Sequence, residues 1–122
     1  MENSEEKIKN NNSDQLLNDA INNQKSDIQV EGKGEVIKIL EDDLDGDKHQ
    51  KFIVKIPSGK TLLIAHNIDL APRINNIKEG DEVKFYGEYE YNFKGGLIHW
   101  THDDPENYHI GGWIKHKGII YE

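Results

Sequence analysis

Histidine and aspartate side chains are concentrated in one short segment, residues 99–104. Imidazole nitrogens and carboxylate oxygens are ligands that zinc takes in proteins, and a zinc ion that keeps an open position for water can support hydrolysis. The pattern therefore predicts a divalent metal ion held by His99, His102 and Asp103. The neighbouring Asp104 and His109 are further candidate ligands, and His49 or His66 could complete the shell.

The same side chains have a second interpretation. Polar groups at the rim of a β-barrel often hydrogen-bond loop backbone and cap strand ends. His-x-x-His is not a recognised zinc spacing on a strand, where His99 and His102 would point to opposite faces. A metal site here requires the chain to leave the sheet between the two histidines.

A hydrolase acting on phosphodiesters would also need a base and a group that binds an anion. His66 or Asp104 could act as the base, and the planar guanidinium of Arg73 could hold a phosphate or a carboxylate. The alternative for this arginine is an ion pair with Asp69.

Strand geometry gathers these distant side chains. A hairpin of two alternating strands is predicted around the turn Ser58-Gly59, which pairs Gln50 with Asn67. A slip of one residue would still leave His49 and His66 at the same end of the hairpin.

The remaining elements follow from residue patterns. Ser13 caps a predicted helix that ends in Asn22-Asn23, and residues 1–12 are predicted to be a disordered polar tether to a single domain of residues 13–122. Asp69 caps a predicted short helix over residues 70–77. The predicted strands lie at residues 28–40, 51–56, 61–66, 83–91 and 97–101, with a small hairpin around residues 116–118.

This order of elements is typical of an OB-like five-stranded barrel with one short helix, here with an added N-terminal helix and C-terminal hairpin. An SH3-like barrel or an open meander is the structural alternative. In an OB barrel the polar fragments share one rim. The residues predicted to contact a ligand there are His49, Gln50, Asn67, Asp69, Trp100 and Thr101.

The charge of the chain limits its partners. Its 122 residues carry 23 acidic and 15 basic side chains, for a net charge of −8. This charge opposes binding to duplex nucleic acid and to anionic membranes. The chain has no cysteine and no apolar run that would span a bilayer.

Two weaker patterns have competing interpretations. The loop of residues 41–47 holds five acids and could bind calcium, although a solvated turn is favoured. Aromatic side chains could stack on single-stranded nucleic acid, although packing is favoured for Phe85, Tyr89 and Trp100. Trp113 is expected to hold down the tail. The candidates for stacking are Tyr86, Tyr89, Tyr91, Phe93 and Trp100.

The chain resembles the bacterial family named domain of unknown function 3465 from about Val30 to Tyr121. The resemblance implies a small bacterial protein, often made with an export signal, and hence a periplasmic or secreted location, with a cytoplasmic one as the alternative. It implies no activity. The matching segments are Gly34-Glu35-Val36, Asp42-Asp43, Gly46, His49-Gln50-Lys51-Phe52, Ala65-His66-Asn67-Ile68-Asp69-Leu70-Ala71-Pro72-Arg73-Ile74, Gly80-Asp81, Phe85-Tyr86-Gly87-Glu88-Tyr89, Gly95-Gly96 and His99-Trp100-Thr101-His102.

Together these observations predict a binding module whose rim of histidine, aspartate and asparagine receives a small ligand, a metal ion such as zinc or calcium, or a protein partner. A metal-dependent hydrolase and a protein that binds single-stranded nucleic acid are the alternatives.

Overall fold

The structure is a computed structural model that describes residues 4–122, with side chains from residue 13 onward. Within this range the chain forms one helix and seven strands. The elements are α1 (Ser4–Asn22), β1 (Ile28–Ile39), β2 (His49–Lys55), β3 (Thr61–Asn67), β4 (Glu82–Glu90), β5 (Leu97–His99), β6 (Trp113–His116) and β7 (Ile119–Tyr121).

Five of the strands close into a barrel. Neighbours follow the order β1-β2-β3-β5-β4, and β4 pairs again with β1. The β3–β5 pairing is parallel and the others are antiparallel. This mixed barrel, with β6 and β7 added beside β4, confirms the predicted OB-like fold.

Alternation along the strands separates the core from the surface, because successive side chains of a strand point to opposite faces. Phe52 and Val54 of β2 point inward, whereas Lys51 and Lys55 do not. The helix α1 packs its apolar side chains against the same core. The buried core includes Leu17, Ala20, Ile21, Val30, Phe52, Val54, Leu62, Ile64, Ile74, Phe85, Tyr89, Ile98 and Ile114.

The hairpin of β2 and β3 differs from the prediction by one residue. Gln50 pairs with His66 and His49 with Asn67, because three residues rather than two form the turn. The amide of Ile56 donates to the carbonyl of Lys60, and Gly59 has a φ of 92°, a left-handed conformation that glycine adopts without strain. As predicted for a slip of this size, the polar ends of the two strands remain together.

Residues 70–77 form turns and not the predicted helix. Side chains of the neighbouring strands occupy the backbone groups that a helix would pair internally. Gln50 donates to the carbonyl of Ile74 and accepts from its amide, both at 2.9 Å. Asn67 accepts from the amides of Asp69 and Leu70, and Pro72 contributes no amide donor.

At the N-terminal end, α1 begins at Ser4, earlier than the predicted cap at Ser13. Glu5 and Glu6 have good intrinsic helix propensity, whereas the prediction weighed only their lack of apolar surface. The end of α1 at Asn22 agrees with the prediction. The division into a tether and a single domain stays a prediction, and its residues 1–3 lie outside the described residues.

The C-terminal hairpin is anchored by a buried histidine. His116 is 1% exposed, and its Nε2 donates to the Asp81 carboxylate at 2.8 Å. This hydrogen bond is the main reason why the pKa of Asp81 is lowered.

Among the described residues, no helix combines the length and the apolar character that a membrane-spanning helix needs.

We expect the substitution Gly87→Ala to destabilise the fold by about 1 to 3 kcal/mol. A Cβ at this position would lie 2.5 Å from the carbonyl oxygen of His99, a backbone atom that cannot move without disturbing β5. Urea unfolding measures the loss. The matched control is Gly111→Ala, whose Cβ would approach within 3.0 Å only the side-chain Oδ1 of exposed Asp103, at 2.8 Å. Equal stability of the two variants would contradict this account.

Candidate functional site

A cluster of carboxylates and imidazoles forms on the outer face of the barrel where β4 pairs with β5. Glu88 lies directly opposite His99 in the antiparallel register. Glu90 lies two residues further along β4 and therefore on the same face as Glu88. The intervening Tyr89 is fully buried on the other face.

The His99 ring lies between the two glutamates. Its Nε2 is 3.3 Å from Oε2 of Glu88 and 3.3 Å from Oε1 of Glu90. This nitrogen is shielded from solvent and makes no hydrogen bond. In a tetrahedral zinc site with bonds of about 2.0 Å, neighbouring ligand atoms lie about 3.3 Å apart. One ligand atom from each of these residues lies within 4.8 Å of the other two, so the group could hold a metal ion.

A fourth side chain, His109, reaches the cluster from a loop. Its Nδ1 is 2.8 Å from the carbonyl of Ile110, and since a carbonyl only accepts, Nδ1 carries the proton. In the neutral ring the Nε2 atom has a free lone pair, and it lies 3.6 Å from Oε2 of Glu88. Trp100 stacks on the His109 ring, with centroids 3.9 Å apart and planes at 11°. This loop therefore presents an imidazole in the form that binds metals.

Asp104 organises this loop. Its carboxylate accepts hydrogen bonds from the amides of Glu106, Tyr108 and His109 at 2.9 to 3.0 Å. These amides, first that of Glu106, lower the pKa of Asp104. The predicted role of Asp104 as a base stays a prediction. In the structure its oxygens hold the backbone that carries His109.

The chain leaves the sheet after His99, as a metal site involving this segment requires. Trp100 has a φ of 56°, a left-handed conformation rare for a large side chain. The backbone turns there, and the following Thr101 and His102 are buried beside β3. The amide of Gly112 donates to the carbonyl of His102 at 2.8 Å and holds the returning chain against this turn.

His66 is enclosed where these segments meet. It is 0% exposed, with Nδ1 2.7 Å from the Thr101 hydroxyl and Nε2 2.9 Å from the carbonyl of Pro72. Nε2 must donate to the carbonyl, so Nδ1 accepts from the hydroxyl and the ring is neutral. Burial lowers the pKa of His66 to about 4. Its predicted role as a base stays a prediction, but both of its nitrogens already have partners.

Four other predicted site residues also have partners within the chain. Arg73 binds both carboxylate oxygens of Asp42, at 2.8 and 3.1 Å, which raises the pKa of Arg73. The partner is Asp42 and not the Asp69 considered from sequence, and Asp69 instead accepts from the amide of Lys48 at 2.9 Å. Gln50 is 2% exposed and is occupied with Ile74, and Thr101 with His66.

A small pocket of about 200 Å³ lies beside the cluster of Glu88, Glu90 and His99, and His99 also lines this pocket. It brings together His49, Asn67 and His102, three side chains that sequence predicted at one rim. Trp100 and Leu70 contribute apolar surface to the same pocket. The predicted meeting of these distant side chains is therefore seen in the structure. Its role in ligand binding stays a prediction.

The group of possible metal ligands in the structure shares one residue with the predicted set, which stays a prediction. Of His99, His102 and Asp103, only His99 belongs to a group of three ligand atoms within 4.8 Å among the described residues. Sequence analysis missed Glu88 and Glu90, because a strand with alternating acids resembles a solvated face. The available signal was the strand register, which places these acids across from His99.

The structure also shows the contacts made by the acidic loop of residues 41–47 and by the aromatic side chains. In the acidic loop, Asp42 pairs with Arg73, and Asp43 accepts from the amide of Asp45 at 3.0 Å. Phe85 and Tyr89 are fully buried, as expected for packing residues, whereas Phe93 is exposed. Trp113 lies against Tyr86, with ring centroids 6.1 Å apart.

Comparison with known proteins supports the resemblance seen in the sequence. The chain matches, over residues 1–122, the family described as Protein of unknown function (DUF3465). The match extends beyond the segment in which the resemblance was recognised. No curated protein matches the sequence.

We expect protonation of His66 to oppose folding between pH 6.5 and pH 4. The unfolded ring takes up a proton near pH 6.5, whereas the folded ring stays neutral until about pH 4. Stability therefore falls as the pH drops through this window, by about 3 kcal/mol from this group. NMR titration of the His66 ring and urea unfolding at each pH measure the two effects.

The variant His66→Gln is the control. Its unfolded state takes up about one proton fewer in this window, so its stability should depend less on pH. If that variant does not fold, the NMR titration alone decides. A midpoint for the folded His66 ring near 6.5 would contradict the prediction.

Proposed function

The chain belongs to the DUF3465 family, whose description assigns no activity, and we propose from the site itself that the protein binds a divalent transition metal ion, zinc in the first place. Glu88, Glu90 and His99 are the proposed ligands. His109 is the proposed fourth ligand, supplied by the loop that Asp104 organises.

One observation carries the proposal: the unpaired Nε2 of His99 is 3.3 Å from two carboxylate oxygens. A shielded polar atom without a partner is costly. Two neighbouring carboxylates on one face also repel each other. A divalent cation at their centre would remove both costs, because it accepts the imidazole lone pair and neutralises two negative charges.

The ligand types favour zinc over calcium. Calcium takes six to eight oxygen ligands, whereas the cluster offers two carboxylates and two imidazoles. Imidazole with carboxylate is a common zinc set. The backbone carbonyl of Ile110 fixes the tautomer of His109, as outer hydrogen bonds commonly do for metal-binding histidines.

We expect zinc to raise the melting temperature and to bind with a stoichiometry of one in isothermal titration calorimetry. Binding to the native state alone adds about 2.7 kcal/mol of stability at a free zinc concentration about 100 times Kd. The double variant Glu88→Gln/Glu90→Gln should lose this binding, since amides do not replace the anionic ligands. Calcium should bind far more weakly.

The matched control is Glu35→Gln/Glu82→Gln, which likewise removes two neighbouring carboxylates. These two are exposed and lie directly opposite each other on β1 and β4. This control should bind zinc like the parent. Failure of zinc, manganese and calcium to shift the melting temperature, or equal loss in both double variants, would refute the proposal.

We further expect Asp104→Ala to weaken zinc binding by about tenfold, because the freed loop no longer holds His109 near Glu88. Calorimetry on this variant and on His109→Asn should give similar losses, since asparagine can still donate to the Ile110 carbonyl but lacks Nε2. Asp45→Ala, which alters another acidic loop, serves as the control. Unchanged affinity in both loop variants would limit the site to Glu88, Glu90 and His99.

A further inference from the structure

The pocket beside the metal cluster contains polar atoms that the fold leaves without partners. His102 is 3% exposed and Asn67 is 6% exposed, and both line this pocket of about 200 Å³. Within the described residues, His102 Nε2 and Asn67 Nδ2 make no hydrogen bond, yet neither atom is fully enclosed. Because both residues line the pocket, we infer that the exposed parts of these two atoms face it.

The hydrogen-bonding character of each atom is fixed by its other contacts. His102 Nδ1 donates to the carbonyl of Asp103 at 2.7 Å, so Nε2 is an acceptor when the ring is neutral. His49 Nδ1 donates to the carbonyl of Asp47 at 2.9 Å, so its Nε2 is also an acceptor. Asn67 Oδ1 accepts from two amides, so its NH₂ group donates into the pocket. The pocket therefore offers one amide donor together with two imidazole acceptors.

This combination selects a chemical class of ligand. Two imidazole lone pairs and the nearby Asp47 disfavour an anion, and the NH₂ group of Asn67 disfavours a cation. A neutral molecule with a C=O and an N–H on one edge would satisfy both kinds of atom. Trp100 and Leu70 offer apolar surface for a flat ring. At about 30 Å³ per water molecule, the volume suits one small ring.

We propose that this pocket binds a small neutral cyclic amide or imide, a class that includes pyrimidine bases. The ligand carbonyl accepts from Asn67 Nδ2, and the ligand N–H donates to Nε2 of His102 or His49. His99 lines this pocket and is also a proposed metal ligand. The contacts proposed for the cyclic amide are made by Asn67, His102 and His49, none of which is a proposed metal ligand, so they do not require the metal.

The test uses NMR on the metal-free full chain with glutarimide and uracil as probes. We expect saturable shifts of the Asn67 side-chain NH₂ signals and of the ring signals of His49 and His102. The N-methyl analogue of glutarimide lacks the N–H donor, and we expect it to bind at least about tenfold more weakly.

Two variants remove single atoms from the pocket. Asn67→Asp keeps the acceptor for the amides of Asp69 and Leu70 but loses the NH₂ donor. His102→Asn keeps a donor for the Asp103 carbonyl but loses Nε2. Each should weaken glutarimide binding by about tenfold. The matched control is Asn92→Asp, because Asn92 Oδ1 likewise accepts two amides, those of Lys94 and Gly96, far from the pocket.

The outcomes separate this proposal from the metal site. Glu88→Gln/Glu90→Gln should lose zinc and keep glutarimide binding, whereas Asn67→Asp should do the reverse. Absence of saturable shifts with both probes, or equal affinity for glutarimide and its N-methyl analogue, would overturn the inference. Equal loss of affinity in Asn67→Asp and Asn92→Asp would also overturn it.

Discussion

The hydrogen bonds of one buried imidazole hold together the segments that surround the candidate sites. His66 at the end of β3 binds the carbonyl of Pro72 on one side and the hydroxyl of Thr101 on the other. These partners belong to the turns after β3 and to the segment after β5. Because the ring is enclosed, both bonds must form together, or a polar nitrogen is left buried without a partner. The position of Thr101 in turn fixes the direction in which Trp100 and His102 leave β5.

Several loops of the barrel are held by side chains that accept hydrogen bonds from backbone amides. Asp104 gathers three amides, and Asn67 and Asn92 gather two each. Each of these side chains fixes a short segment without regular secondary structure. The loops are thus ordered by polar contacts as well as by packing, such as that of the buried Ile74.

The fold was more predictable from the sequence than the site. Alternating apolar and polar residues between glycine-containing turns indicated where each strand lies, because the apolar residues mark the buried face of a strand. The helix expected over residues 70–77 did not form, since its local propensity was overridden by the side chain of Gln50, which is distant in sequence. The site depended on register between β4 and β5, and Glu88 has no sequence feature that separates it from a solvated glutamate.

Strand β4 has two different neighbours along one of its sides. Residues Val83 to Tyr86 pair with β6, and Glu88 to Glu90 pair with β5. The change of partner lies at Gly87. The next residue, Glu88, is the first carboxylate of the proposed metal site. A deletion or a fusion that detaches β6 would expose unpaired amides of β4 directly beside Glu88. Engineering of this barrel, such as attachment to a solid support or display on a larger scaffold, should therefore leave Trp113 to Tyr121 intact.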